Sequence, residues 1–455
     1  MTQAVDRVPP KKATASAPGL FDIGAQHSLR EVVNEARAAE LLSRATVDWD
    51  EVVHVRLSGK SLTLDGAQHI CTHGLGRVPS GRIEHADLSD VIASRPEQEA
   101  KLVLACLAEA LVPHGPTIHT LDLSDNALGL KGIDAIAPLI LASRRTLQHL
   151  QINNNGLEQR AALQISVLMT GGDADGVGAA TTVLRRFHTF NNLLESAGAR
   201  ELSHLLRLSP DLTDLRFSST RVGAEGAQHI ADAIVQSGAQ LHRLDLADNS
   251  LLPEGIAHVA KALRSQSSLT HLNLGATAAG DEGVEAICSA LLESRAPISH
   301  LDLSCNEITA EGSVPLAKLI VSLSETLVEL KLAENELGSE GAARLADAIR
   351  ECTRLQLLDL SVNEIAQSGA CRMAGKLPES LERLELNGNL ISADGLTALT
   401  DSLPAGCVLG DMDMNDEDYD EEEEAESDGD ADEPEAEDDS AIDAVAAQMD
   451  HVHVS

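Results

Sequence analysis

The chain has 455 residues and a formal net charge of −38, from 72 acidic and 34 basic residues. Aromatic residues make up 1% of the chain, and Trp49 is its single tryptophan, so a core must be built from aliphatic side chains. A chain this acidic repels nucleic acids and anionic membranes and attracts basic proteins. No run of about 18 apolar residues occurs, so the sequence predicts no membrane insertion.

Both ends of the chain have compositions typical of disorder. Residues 1–19 are rich in proline, lysine, alanine and serine, and we expect them to be disordered. Residues 411–455 contain 21 acidic residues and no lysine or arginine. Such a segment cannot bury enough apolar surface to fold, so we expect an acidic disordered tail. The preceding 410 residues still carry 51 acidic against 34 basic residues.

A helical pattern follows the amino-terminal segment. Ser28 and Glu31 have the spacing of a capping box. Apolar residues then recur at helical intervals, namely Val32, Val33, Ala36, Leu41 and Leu42. We expect residues 20–50 to form a capping helix region that covers the open end of the array that follows.

Residues 51–410 repeat one pattern, clearest at Leu301–Ile308, where Leu-Asp-Leu-Ser-Cys-Asn-Glu-Ile precedes an apolar run at helical spacing. Period-two alternation points Leu301 and Leu303 into a core, and the amide of Asn306 can satisfy buried backbone groups. The residues aligned with this asparagine are mostly 28 or 29 residues apart: Asn126, Asn155, Asn192, Thr220, Asn249, Thr277, Asn306, Asn335, Asn363 and Asn389.

A strand and a helix in each unit of 28 or 29 residues are typical of the long, ribonuclease-inhibitor-like class of leucine-rich repeat. The predicted fold class is therefore α/β, a leucine-rich-repeat solenoid of about eleven to twelve units. Because helices are wider than strands, the array bends into a horseshoe with its strands on the concave face. That face is suited to binding another protein.

The first two units depart from the pattern. Lys60 stands where asparagine is usual, and in the second unit the strand around Ala86 is followed by a long excursion through Arg95 before a helix over 97–112. Functional residues are most often found in a repeat that departs from the common pattern. Arg95 is therefore the first candidate functional residue, although a lone arginine is by itself more often an ordinary solvated charge.

The sequence gives no sign of small-molecule chemistry. It has no Ser/His/Asp arrangement, no clustered metal ligands and no glycine-rich cofactor loop, so we expect neither a metal nor a cofactor. Its seven cysteines are an odd number and include no Cys-x-x-Cys pair, which is typical of free thiols in a reducing, intracellular compartment.

Acidic residues recur at outward positions of the strands and turns. They are Asp122, Asp125, Asp245, Asp248, Asp302, Glu334, Asp359 and Glu385. Any one of them is an ordinary solvated charge, but together they predict a negative trough that steers a basic partner.

The order of these features resembles the Ran GTPase-activating proteins. The resemblance is carried by Ala86–Arg95, which matches that family's arginine-bearing segment, and by Ile152–Leu157, which matches its Asn-Asn-Gly-Leu turn. Leu121–Asn126, Leu384–Asn389, the glycine-rich insertion at 171–178 and the acidic tail are also similar, so the resemblance covers roughly 53–440. It departs from the family at Glu97, where a lysine is frequent.

The resemblance implies a GTPase activator, which is not itself an enzyme but contributes residues to GTP hydrolysis by a Ran-like small GTPase. GTP and magnesium then belong to the partner. Arg95 is implied as the essential arginine and Asn154 as the residue that contacts the region of the GTPase's glutamine, while Asn155 is structural. Asp245 and Asp248 are implied as ion-pair partners for the GTPase, with Asp122, Asp125 and Asp302 as further binding residues.

The same resemblance implies a monomer in the cytoplasm, around the nucleus or at the nuclear envelope, supporting nucleocytoplasmic transport. A Ran-binding protein is an expected further component of the complex. The alternative function is a leucine-rich-repeat binding scaffold without a catalytic role, either ribonuclease-inhibitor-like or an acidic histone-binding protein. An activator works at substoichiometric amounts and a scaffold does not, so turnover separates the two.

Overall fold

The structure is a computed structural model that describes residues 19–23, 31–173 and 176–416. Within these residues short strands alternate with helices along the whole chain. The strands are β1 (Leu20–Asp22), β2 (Glu31–Val33), β3 (His54–Arg56), β4 (Lys60–Leu62), β5 (His85–Asp87), β6 (Thr120–Asp122), β7 (His149–Gln151), β8 (Arg186–His188), β9 (Asp214–Arg216), β10 (Arg243–Asp245), β11 (His271–Asn273), β12 (His300–Asp302), β13 (Glu329–Lys331), β14 (Leu357–Asp359), β15 (Arg383–Glu385) and β16 (Val408–Leu409).

Each repeat unit supplies a helix on the other side of the sheet. The helices are α1 (Glu35–Arg44), α2 (Leu64–His73), α3 (Glu97–Leu111), α4 (Gly129–Ser143), α5 (Gln159–Thr170), α6 (Glu195–Arg207), α7 (Ala224–Ser237), α8 (Leu252–Leu263), α9 (Gly280–Ser294), α10 (Ser313–Ser322), α11 (Gly338–Ile349), α12 (Gln367–Met373) and α13 (Ala393–Asp401). Short 3₁₀ turns lie at Trp49–Glu51, Leu75–Arg77 and Val112–Thr117.

In the described part of the chain, fourteen strands form one parallel sheet in sequence order, from β1 through β3 and β5 to β16, and β2 pairs with β4 separately. The middle residue of each strand in the large sheet from β1 to β15 is buried against the helices, and the first and third residues lie on the concave face. Leu301, Leu303 and Ile308 are at most 1% exposed, as the alternation predicted. The alternating units confirm the predicted leucine-rich-repeat solenoid.

The asparagines of the repeat form a ladder that joins neighbouring units. Asn306 Nδ2 donates to the carbonyls of Leu274 (2.8 Å) and Leu303 (3.0 Å), and its Oδ1 accepts from the backbone of Thr277 and Ala279 (both 3.1 Å). A buried amide thus satisfies backbone groups that have no strand partner. The predicted structural role of this position is confirmed.

The amino-terminal end differs from the sequence prediction. Val32 and Val33 lie in β2, not in a helix, and α1 begins at Glu35 because the Asn34 side chain accepts a hydrogen bond from the Arg37 backbone at 3.0 Å. The proposed capping-box residue Ser28 lies outside the described residues. Helix α1 nevertheless packs on α2 at this end of the array.

The carboxyl-terminal end of the array extends beyond residue 410. Asn415 Oδ1 accepts from the Ile391 backbone at 3.2 Å, and Nδ2 donates to the Ile391 carbonyl at 2.6 Å. Asn415 therefore continues the hydrogen bonding of the turns after the last aligned asparagine, Asn389. The remainder of the predicted acidic tail, residues 417–455, lies outside the described residues, as does the predicted amino-terminal disorder over 1–18.

Candidate functional site

The second repeat holds Arg95 on a turn that the ordinary repeat lacks. Nine residues, 88–96, connect β5 to α3, against six, 123–128, between β6 and α4. Val91 occupies the asparagine position, and its backbone N–H donates to Asn126 Oδ1 at 2.9 Å. Ser94 adopts a left-handed conformation with φ of 61°, and Arg95 N–H donates to the Ile92 carbonyl at 3.1 Å.

The Arg95 side chain is folded against the protein and does not extend into solvent. It is 16% exposed, and its Nη1 lies 3.8 Å from Glu99 Oε2 on the first turns of α3. Its Nε is buried and, among the described residues, donates no hydrogen bond. A buried unsatisfied donor is costly, so this arginine is held at some expense to stability.

A cavity of about 350 Å³ opens between the Arg95 turn and the next repeat. Arg95, Lys101 and Lys131 line it together with Glu97 and Asp125. Lys131 Nζ lies 2.7 Å from Glu97 Oε1, and this hydrogen bond lowers the pKa of the Glu97 carboxyl. The cavity thus combines three cations with two carboxylates, and it can receive a polar or anionic group of a partner.

Hydrogen bonds between residues of successive turns connect Asn154 to this cavity. Asn154 Nδ2 donates to Asp125 Oδ1 at 2.8 Å, and Asn191 Nδ2 donates to Asn154 Oδ1 at 2.9 Å. All three residues are left-handed, with φ of 62° for Asp125, 50° for Asn154 and 53° for Asn191. Asn154 is exposed and Asn155 is buried, as the sequence predicted for this pair.

The predicted acidic residues differ in how free their carboxylates are. Asp125 and Asp248 are exposed, whereas Asp122 and Asp302 are half-buried and accept hydrogen bonds from Ser124 N (2.9 Å) and Ser304 N (3.1 Å). Asp245 is 6% exposed, and its Oδ2 lies 3.0 Å from Arg216 Nε. The Asp245 carboxylate is therefore already paired with Arg216 of the same chain.

Burial raises the pKa of the Asp122 carboxyl, and the nearby carboxylates of Asp87 and Asp125 contribute in the same direction. Hydrogen bonds from Ser124 oppose the shift without cancelling it. The ionised form of the Asp122 carboxyl is therefore disfavoured, chiefly because the side chain is partly buried.

The charges in the middle of the concave face show that the expectation of a negative trough is wrong there. Cationic and histidine side chains alternate there with the acids: Arg186, His188, Arg216, Arg243, His271, His300 and Lys331. Asp214 lies 2.8 Å from Arg186 Nε and 2.9 Å from His188 Nε2. Burial alone pushes the pKa of Asp214 upward, but these two neighbours lower it overall. The face is therefore of mixed charge over β8–β13.

A family model described as "Leucine Rich repeat" matches residues 114–137, 265–288, 297–317 and 324–346. These matches fall on strands and helices of the solenoid. The chain is a leucine-rich-repeat protein.

The curated relatives of this leucine-rich-repeat protein include a ribonuclease inhibitor and a Ran GTPase-activating protein. Ribonuclease inhibitor of Sus scrofa is 26% identical over 152 residues, which are 33% of this chain and 32% of that protein. Ran GTPase-activating protein 1 of Xenopus laevis is 29% identical over 190 residues, 41% of this chain and 32% of that protein. The alignments thus span about a third of the length of these relatives.

Among solved structures, an internalin of Listeria monocytogenes is similar with a TM-score of 0.44 and 15% identity, over 83% of this chain and 87% of that one. The complex of Rad7 and Elc1 from yeast contains a chain with a TM-score of 0.43 and 11% identity, over 84% of this chain and 80% of that one.

Sequence reasoning missed two residues of the site in this leucine-rich-repeat protein. Asn191 stands in its repeat where Asn154 stands in the previous one, so aligning the units could have shown it, although the insertion places the two 37 residues apart. Nothing in the sequence around Lys131 indicates a role in the site, because its place in the cavity depends on how α4 packs against α3. Within the described residues, none of the helices has the length and apolar character needed to cross a membrane.

Proposed function

We propose that this protein stimulates GTP hydrolysis by a Ran-like small GTPase in its GTP form. The observation that carries the proposal is the placement of Arg95 at a cavity that Asp125 also lines, with Asn154 hydrogen-bonded to Asp125. The two residues that the family resemblance singles out come from different repeats, and the fold brings them to one edge of the solenoid. The 29% identity to Ran GTPase-activating protein 1 over 190 residues supports the same activity.

In such a complex the nucleotide and magnesium are bound by the GTPase, whose own glutamine orients the attacking water. Asn154 is exposed on its turn, and its amide is oriented by hydrogen bonds to Asp125 on one side and Asn191 on the other. It is therefore suited to hold a polar side chain of the partner in one conformation. Arg95 is the essential arginine, and a partner group that enters the cavity supplies the acceptor that its buried Nε lacks.

The carboxylates of Asp122, Asp125, Asp248 and Asp302 are the proposed contacts for basic residues of the GTPase. Asp248 has the same left-handed turn position as Asp125, with φ of 52°, and is exposed. Asp245 acts on the partner indirectly, because its carboxylate fixes the guanidinium of Arg216 on the concave face. Surface charges of this kind mainly increase the association rate, and salt weakens their effect.

The proposal includes a cytoplasmic or nuclear-envelope location, a monomeric protein, a role in nucleocytoplasmic transport and a Ran-binding protein as a further component. The second candidate function is a protein-binding scaffold without effect on hydrolysis. It is favoured by the mixed charge of the concave face over β8–β13 and by the similarity to ribonuclease inhibitor, which is 26% identical over 152 residues.

Turnover separates the two functions. A trace of the full-length protein is added to an excess of Ran loaded with GTP and, in parallel, to a panel of other small GTPases, and phosphate release is followed. We expect many phosphates per molecule of added protein with Ran, and a rate gain of about 10³ or more. Hydrolysis at the intrinsic rate with every GTPase would contradict the activator proposal and leave the scaffold.

A further inference from the structure

Two cysteines of neighbouring repeats face each other in the first part of the solenoid. Cys71 lies on α2 and Cys106 on α3, and these helices pack side by side. Their sulfur atoms are 3.5 Å apart, and the Cys71 thiol also lies 3.6 Å from the Cys106 carbonyl oxygen. Both side chains are half-buried, so small reagents can reach them.

We propose that Cys71 and Cys106 are a site of reversible oxidation, at which a peroxide converts the two thiols into a disulfide that joins α2 to α3. A disulfide bond is about 2.05 Å long, so the sulfur atoms must approach by roughly 1.5 Å. Rotation of two half-buried side chains can supply that movement without separating the helices. The inference does not depend on the proposed function.

The chemistry of the pair favours Cys106 as the attacking sulfur. Interaction between the two sulfurs raises the pKa of Cys71 and lowers that of Cys106, so the Cys106 thiol ionises first. Burial instead raises the pKa of Cys288 to about 12 and that of Cys352 to about 11, which keeps those thiols protonated and unreactive.

The reaction balances with hydrogen peroxide as the oxidant. The Cys106 thiolate attacks one peroxide oxygen, the O–O bond breaks, and hydroxide leaves while Cys106 becomes a sulfenic acid. Cys71 then loses its proton and attacks the Cys106 sulfur, and the sulfenic oxygen departs as water. Overall two thiols and one peroxide give one disulfide and two waters, and a dithiol reductant reverses the change.

The disulfide would join the first repeat to the second repeat, which carries the Arg95 turn. At the other end of the same helices, the Leu64 backbone N–H of α2 donates to Glu99 Oε1 of α3 at 3.2 Å, and Glu99 also contacts Arg95. In the reduced protein this polar contact and apolar packing hold α2 against α3. In the oxidised protein a covalent bond is added near the middle of α3.

The test uses the full-length chain with Cys371→Ser, which removes the exposed cysteine and leaves six of the seven thiols. The protein is treated with a slight excess of hydrogen peroxide, blocked with an alkylating reagent, and digested with trypsin for mass spectrometry. We expect peptides 61–77 and 102–131 joined by a disulfide. The free thiols should fall from six to four and return to six with dithiothreitol.

The matched variant adds Cys106→Ser, a nearly isosteric change whose fold is checked by circular dichroism. In that protein the joined peptides should be absent and the thiol count should stay at five. The proposal is overturned if peptides 61–77 and 102–131 of the parent remain separate, either unmodified or with Cys106 as a sulfinic acid. It is also overturned if the Cys106→Ser protein loses thiols as readily as its parent.

Discussion

The second and third repeats are neighbours in the sheet, but their turns are held differently. In the third repeat Asn126 is the fourth residue of a six-residue connection, and its Nδ2 donates to the Leu88 and Leu123 carbonyls at 2.8 and 2.9 Å. In the second repeat Val91 takes that place, and the connection runs for nine residues. The asparagine ladder fixes an ordinary turn, and where the ladder stops the chain can carry a residue such as Arg95.

The irregular turn also depends on the regular one. Asn126 Oδ1 accepts the backbone N–H groups of Val91 and Ile92 at 2.9 and 3.3 Å, so the third repeat holds the start of the Arg95 turn. Mutations in the regular repeats should therefore mainly lower the stability of the fold. Mutations in the second repeat should mainly change how Arg95 is positioned.

The largest stability effect is expected from removing a ladder residue of a regular repeat. Asn306→Ala deletes hydrogen bonds to backbone groups of its own and the preceding unit and leaves them buried without partners. We expect a loss of roughly 3 to 5 kcal/mol in the free energy of unfolding, measured by chemical denaturation. Val91→Ala removes only apolar contacts and should cost roughly 1 to 2 kcal/mol. Equal losses for the two variants would contradict the contrast between the repeats.

A smaller effect is expected from the exposed asparagine beside the cavity. Asn154→Ala should lower the stimulated rate of GTP hydrolysis by about tenfold or more, the equivalent of one hydrogen bond to the partner. Glu334→Ala is the matched control, because Glu334 has the same left-handed turn position, with φ of 55°, on a distant repeat. Both variants place alanine in the same strained conformation. If Glu334→Ala slows hydrolysis as much as Asn154→Ala, backbone strain explains the loss.

The smallest effect is expected at Asp122, on the strand next to the irregular repeat. Its raised pKa means that the folded state binds a proton more tightly than the unfolded state, whose carboxyl titrates near about 3.9. Stability should therefore fall as pH rises from that value through the folded pKa. Asp122→Asn should remove this penalty and make the protein slightly more stable at pH 7.

The pH dependence checks this assignment of cause. Thermal unfolding of Asp122→Asn and wild type should converge below about pH 3.9, where the carboxyl is protonated in both states. A variant that is less stable than wild type at pH 7 would show instead that the ionised Asp122 carboxylate stabilises the fold.

Much of this molecule follows from its sequence because the repeat is a local pattern with a fixed period. The inward Leu301 and Leu303, the ladder residue Asn306 and the exposed Asn154 were all predictable from alternation and alignment. Repeat alignment also places Arg216 beside Asp245, 29 residues later, so their ion pair could have been anticipated. The cations of the concave face follow from the same alignment, because Arg216, Arg243 and Lys331 stand at outward strand positions as the acids do.

Other features could not be predicted because they depend on packing between units. The cavity at Arg95 exists only when the turn before α3 meets the loop before α4, which no single repeat encodes. At the amino-terminal end, Val32 and Val33 fit a helical pattern, but β2 pairs with β4 and Asn34 starts α1 later. In a strand of three residues the two-residue alternation spans too few positions to be distinguished from helical spacing in the sequence.

The decisive experiment for the role of the irregular second repeat is single-turnover GTP hydrolysis on Ran with the Arg95→Ala protein. We expect a loss of about 10³-fold or more in stimulated rate, with an unchanged circular dichroism spectrum. Arg350→Ala, which removes an exposed arginine at the end of α11, should keep the full rate. An Arg95→Ala protein as active as wild type would show that the second repeat does not carry the function.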